Sequence, residues 1–155
     1  MILLGILGLL WLPAIALTIS QAVKPNFARS WFIAIAGASL AWLGTFFLRL
    51  YLPMEVELIR WLPDSLYHTA IAFRIDYINW HYIVAILALC IAVILTDSSR
   101  ASTNTTPTNW AAALALTGLN LISVMSRGPL TMAIAWAITD LVELSFMLNS
   151  LRNSG

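Results

Sequence analysis

The sequence predicts an all-α integral membrane protein of about five transmembrane helices, with a small surface β-hairpin between the second and third. Three observations predict it. Hydrophobic residues fill 61% of the 155 positions and charged residues only 10%, whereas a soluble domain averages about 25% charged and under half apolar. The mean hydropathy is +0.87. The apolar residues come in long runs of membrane-crossing length, separated by short polar turns and one longer charged segment. A chain of this length is expected to form one membrane domain, 1–155, with no soluble catalytic domain beside it.

The first span is expected at about 2–23, with no charge until Lys24. No basic residue precedes this run and it is too long for the apolar core of a signal peptide. Pro13 is expected to kink it without breaking it, because neighbouring helices can re-satisfy the freed carbonyl. A polar turn from Lys24 to Ser30 leads into the second span, about 31–51, where Gly37, Ala38 and Ser39 form a small-residue patch suited to close helix contact. Charged residues and Pro53 and Pro63 then mark the segment 52–77 as lying outside the apolar core. Within it, Val56–Trp61 and Thr69–Asp76 read as short strands. Ile71, Phe73 and Ile75 alternate with small or polar residues at a period of two. A hairpin over 54–76, lying on the membrane surface, accounts for both.

The third span, about 78–96, opens with Trp80, His81 and Tyr82, rings that settle at a membrane–water boundary. Asp97 to Asn109 is rich in Ser, Thr and Asn and reads as a loop. The fourth span, about 110–125, carries Gly118 and Asn120 and turns at Ser126–Pro129 into the fifth, about 130–148. The closing stretch from Asn149 to Gly155 is polar and reads as helix-terminating, as a chain end would. Five spans place the termini on opposite sides. Lys24, Arg29, Arg100 and Arg152 fall on one side and Arg49, Arg60, Arg74 and Arg127 on the other. Four against four leaves the positive-inside bias silent about orientation.

Whole classes of function drop out. The eight basic residues are scattered singly and the formal net charge is +1, so nothing resembles a nucleic-acid patch. Cys90 is the only cysteine; it forms no internal disulfide and belongs to no cysteine metal motif. No cofactor and no metal are expected. With no nucleophile–base pair and no phosphate-cradling glycine loop, the chain is not expected to be catalytic alone.

Attention therefore falls on Asp140 and Glu143, the only charges inside the apolar runs. A carboxylate in hydrocarbon costs several kcal/mol and normally faces a bundle interior, a partner or a water path. Trp136, Asp140 and Glu143 are spaced i, i+4, i+7 and so share one helix stripe. These two acids are the candidates for proton translocation. The bland alternative is that Glu143 reaches the headgroups while Asp140 pairs with a donor on a neighbouring helix or subunit.

Asn120, with Ser123, is a secondary polar candidate, able to hydrogen-bond across to the fifth span or simply to serve as packing glue worth about 0.6 kcal/mol. His81, of the residue type suited to shuttling protons, is a second such candidate, though beside Trp80 and Tyr82 an interfacial anchor is the simpler role. Arg74 and Asp76 read as a hairpin ion pair or strand-end cap. His68 has no ligand at metal spacing. Asn104-Thr105-Thr106 matches a glycosylation sequon that is common by chance.

The order of elements resembles the antiporter-like subunits of respiratory complex I and of the multi-subunit sodium/proton antiporters. The resemblance rests on two spans, a surface hairpin with Trp61-Leu62-Pro63, and a strand ending Phe73-Arg74-Ile75-Asp76 before a third span opening Asn79-Trp80. It covers nearly the whole chain. Its motifs are short, and it rests mainly on element order and length.

Two departures matter. The family's membrane glutamate directly follows a Trp in the fifth span, and here Trp136 is followed by Ala137. Family members also supply a buried lysine on a later, broken helix, whereas the only lysine here is Lys24, in a loop. The resemblance implies a short or split antiporter-like subunit, contributing to proton or cation translocation within an NADH dehydrogenase-like or antiporter complex.

Its partners would be other membrane subunits and the bilayer. Any quinone chemistry would belong to the assembly, an NADH:quinone oxidoreductase-like complex, and the location would be a bacterial inner membrane. The alternative is an accessory membrane subunit that fills a bundle interface and moves no ion.

Overall fold

A computed structural model describes residues 2–23, 26–60, 70–99 and 107–154, with side chains placed for 4–20, 26–57, 71–99 and 108–148. Five helices appear: α1 (Ile2–Val23), α2 (Phe27–Leu48, extended by a 3₁₀ turn Arg49–Tyr51), α3 (Tyr77–Ser99), α4 (Pro107–Met125) and α5 (Pro129–Ser154). Strands β1 (Met54–Arg60) and β2 (Ala70–Ile75) pair between α2 and α3. Phe27–Tyr51, Tyr77–Ser99, Thr108–Met125 and Pro129–Leu148 are each long and apolar enough to cross a membrane. The 22 residues of α1 span about 33 Å at 1.5 Å per residue, enough for a hydrocarbon core of about 30 Å.

The helix starts are set by local chemistry. Asn26 is the N-cap of α2, its side chain accepting from the Arg29 N–H at 3.2 Å, so the helix takes over most of the turn expected before residue 31. Asp76 does the same for α3, Oδ1 accepting from the Ile78 and Asn79 N–H groups at 3.0 and 2.9 Å. Prolines head α4 and α5, where the missing N–H costs nothing. Helix therefore occupies both ends of the expected loop 97–109: α3 runs through Ser99, and α4 begins at Pro107.

The expected terminator after residue 148 does not stop α5. With no glycine or proline before Gly155, the polar residues continue the helix to Ser154. Lys24, the Trp61-Leu62-Pro63 turn, His68 and the sequon at 104–106 lie outside the described residues.

α1 packs between α2 and α4, and α3 closes the other side against the same two helices. Small residues permit this. A methyl group on Gly37 would lie 2.5 Å from Pro13 Cγ and 3.1 Å from the Leu9 carbonyl oxygen, so the small patch of α2 receives the proline of a continuous α1. Gly118 does the same for α4, where the indole edge of Trp11 fills the place of a side chain. Ile6, Leu10, Leu17, Ala34, Ala38, Ala41, Ile83, Leu87, Leu114 and Leu121 are buried between the four helices. Interhelical hydrogen bonds cross this core, among them Trp80 Nε1 donating to the Thr45 carbonyl at 2.7 Å and a side-chain bond between Cys90 and Thr117.

The hairpin register puts like with like. Met54 faces Ile75, Val56 faces Phe73 and Ile59 faces Ile71, while Glu55 pairs with Arg74 on the other side. Leu58 falls at an irregularity between Glu57 and Ile59, a bulge that bends the strand. Met54, Phe73 and Ile75 join the core, so the hairpin caps one end of the bundle. The α4–α5 turn then closes on β2: Arg127 N–H donates to the Ala72 carbonyl at 2.9 Å, and Ala72 N–H donates to Thr131 Oγ1 at 3.4 Å. Arg127 Nη1 lies 3.1 Å from Glu55 and 3.7 Å from Glu57.

Candidate functional site

The fifth helix differs from the others in how little of it the chain covers. α5 packs on α4 and touches β2, and only 11% of its span is buried, against 44% for α4. The covered stripe is Thr131, Ala135, Thr139, Val142 and Phe146: the first two are buried and the rest half-buried. Small residues at i, i+4 and i+8 let α5 approach α4 closely.

Asp140 and Glu143 are both exposed. With 3.6 residues per turn, Asp140 lies about 140° and Glu143 about 80° around the helix from Ala135. Trp136, 56% exposed, stands between them at about 100°. The stripe read from sequence is therefore real, and it faces away from the chain's own bundle. Asp140 is about 16 Å along the axis from Pro129, close to the middle of a hydrocarbon core of about 30 Å. Neither acid has an ion-pair or hydrogen-bond partner among the described residues. The neighbouring hydroxyls are spent inside the helix, Thr139 on the Ala135 carbonyl and Ser145 on the Leu141 carbonyl, both at 2.8 Å.

The other candidates lie apart from this pair. Asn120 is exposed on α4 and makes no hydrogen bond to α5 among the described residues. Ser123 bonds back to the Leu119 carbonyl at 3.3 Å. Of the two alternatives for this pair, the hydrogen bond across to α5 is not formed among the described residues; Thr131 ties α5 to the hairpin. His81 sits at the hairpin end of α3. Its Nδ1 is 2.6 Å from the Tyr77 carbonyl, an acceptor, so Nδ1 carries the proton and donates. Its ring packs edge-on to Trp80, with centroids 5.0 Å apart, as an anchor does.

Arg74 lies 3.5 Å from Glu55 and 4.0 Å from Asp76, so Asp76 serves as both helix cap and ion-pair partner at the surface. Among the described residues no group of three His, Cys, Asp or Glu side chains is placed to hold a metal.

Sequence reasoning passed over two features. One is the Arg127–Glu55–Glu57 cluster, which joins the hairpin to the start of α5. The other is Arg49, whose guanidinium lies 4.9 Å from the ring centroid of Trp80. Neither has a sequence signal beyond a charge beside an apolar run.

Fold and site together define a multi-pass helical membrane protein with a capping hairpin and an acid pair on the exposed face of its fifth apolar helix. The chain matches no family model and no curated protein sequence.

Proposed function

We propose that the chain is a short or split antiporter-like membrane subunit that contributes Asp140 and Glu143 to proton or cation translocation within a larger, NADH dehydrogenase-like or antiporter complex. The observation that carries this reading is the direction of the acid pair. Two carboxylates stand within the apolar span of the helix that the chain covers least. A lone carboxylate at the bilayer centre costs about 2.5–3.5 kcal/mol even on insertion scales, and another subunit offering a basic or hydrogen-bonding group removes that cost. A second copy of this chain offers no basic group at that depth, since its eight basic residues, at 24, 29, 49, 60, 74, 100, 127 and 152, all fall at or beyond the ends of the apolar runs.

The resemblance of the element order to antiporter-like subunits suggests the class of complex, and with Ala137 in place of the family glutamate the proton role passes, in this reading, to the acids one and two turns onward. The test is proton uptake into inverted vesicles from the native host. Asp140→Asn and Glu143→Gln are each expected to lower pumping at least tenfold with the complex still assembled. Unchanged pumping in both variants would leave the accessory role, in which the acids only pack against a partner.

A further inference from the structure

We propose that Arg49 and Trp80 form a binding site for the phosphate of an anionic phospholipid, whose acyl chain runs down the α2–α3 seam. Arg49 ends α2 at the hairpin end of the bundle and is exposed. Its guanidinium lies over the Trp80 ring, and Trp80 is itself buried and pinned by its Nε1 bond to the Thr45 carbonyl. The contact with the ring face uses up no hydrogen-bond acceptor, so the N–H fork of the guanidinium is available to a ligand. That fork matches two phosphate oxygens.

No acid competes for it among the described residues. At this end of the bundle Glu55 is engaged by Arg74 and Arg127, Glu57 by Arg127, and Asp76 by Arg74 and the start of α3. Arg74 and Arg127 are thus neutralised by carboxylates, and Arg49 alone of the three has only an aromatic partner.

Below the guanidinium the seam is lined with rings. Phe46 packs edge-on to Trp80 with centroids 6.0 Å apart, and Trp42 packs edge-on to Phe46 at 5.0 Å. Phe46 is 42% exposed and Phe47 67%, so this wall faces lipid. A cation fixed at headgroup level above an apolar wall one helical turn and more in height has the two chemistries of a phospholipid, in the right order. Free phosphate would find only the first. His81 flanks the same indole with Nε2 free, since Nδ1 is committed to the Tyr77 carbonyl.

The experiment is native mass spectrometry of the detergent-solubilised full chain titrated with phosphatidylglycerol or phosphatidylcholine. Wild type is expected to retain phosphatidylglycerol preferentially, and Arg49→Gln to lose at least about fivefold in retention, the worth of one basic residue at an anionic surface. Arg127→Gln, an arginine at the same end that already has carboxylate partners, is expected to retain the lipid. Millimolar inorganic phosphate is expected not to displace it.

Equal loss in both variants, or full retention in Arg49→Gln, would overturn the site. Displacement by inorganic phosphate would overturn the lipid in favour of a free anion. Should Arg49→Gln fail to fold, a phosphatidylglycerol carrying a headgroup-proximal diazirine decides the matter on wild type. Labelling is expected in residues 46–51 and 77–82, and labelling spread evenly over the helices would contradict the proposal.

Discussion

The four-helix core and the fifth helix solve the same problem in opposite ways. In the core, apolar packing drives nothing by itself, because lipid tails are as apolar as leucine; the helices gain by coming close. Gly37 takes Pro13, Gly118 takes Trp11, and Trp80 reaches the Thr45 carbonyl. α5 has the small residues for one such contact, Thr131 and Ala135 against α4. It spends the rest of its surface on large apolar side chains and two acids that the chain does not cover. A helix that is finished internally and one that is half-finished can thus be told apart by where the small residues and the charges lie. In α5 they lie on different faces.

That contrast can be broken from either side. The largest effect is expected in the core. Gly118→Leu sets four carbons where the Trp11 indole lies and should cost about 3 kcal/mol, read as a lowered midpoint in thermal unfolding of the detergent-solubilised chain. The opposite sign is expected on α5. Asp140→Leu should favour membrane insertion of that helix by about 2.5 kcal/mol, measured as a raised inserted fraction in a glycosylation-mapping assay, while abolishing whatever the acid does in the assembly.

At the junction of the two regions, Asp76→Ala removes the acceptor for two N–H groups of α3 and should cost about 1 kcal/mol, seen as faster amide exchange at Ile78 and Asn79. The smallest effect falls on the clasp between hairpin and α5. Thr131→Val removes the acceptor of the Ala72 N–H and should cost about 0.6 kcal/mol, raising exchange at Ala72 while leaving the core amides of α2 and α3 unchanged.

Much of this was legible in the residues alone. Hydropathy located the helices, and the alternation of Ile71, Phe73 and Ile75 located β2, because a strand half-buried on a bundle must present one apolar face. The i, i+4, i+7 spacing placed Trp136, Asp140 and Glu143 on one stripe.

Spacing could not say which way that stripe turns. A helix in lipid is apolar all round, so its rotation is set by small-residue contacts such as Thr131 and Ala135, not by an amphipathic moment. Caps moved the helix boundaries outward, since Asn26 and Pro107 begin helices among residues whose polarity reads as loop. The contact of Arg49 with the Trp80 ring joins residues on two helices, and neither position carries a local mark of it.

The proposed role requires α5 to present its acids to another subunit of a translocating complex. The most direct measurement is a mild-detergent pull-down of the tagged chain from its host, with identification of the membrane proteins that accompany it. Antiporter-like or dehydrogenase membrane subunits are expected, crosslinked from a photoreactive residue at position 136 and not from one at the exposed position 89 on α3. A chain that elutes alone, or only with copies of itself, would contradict it.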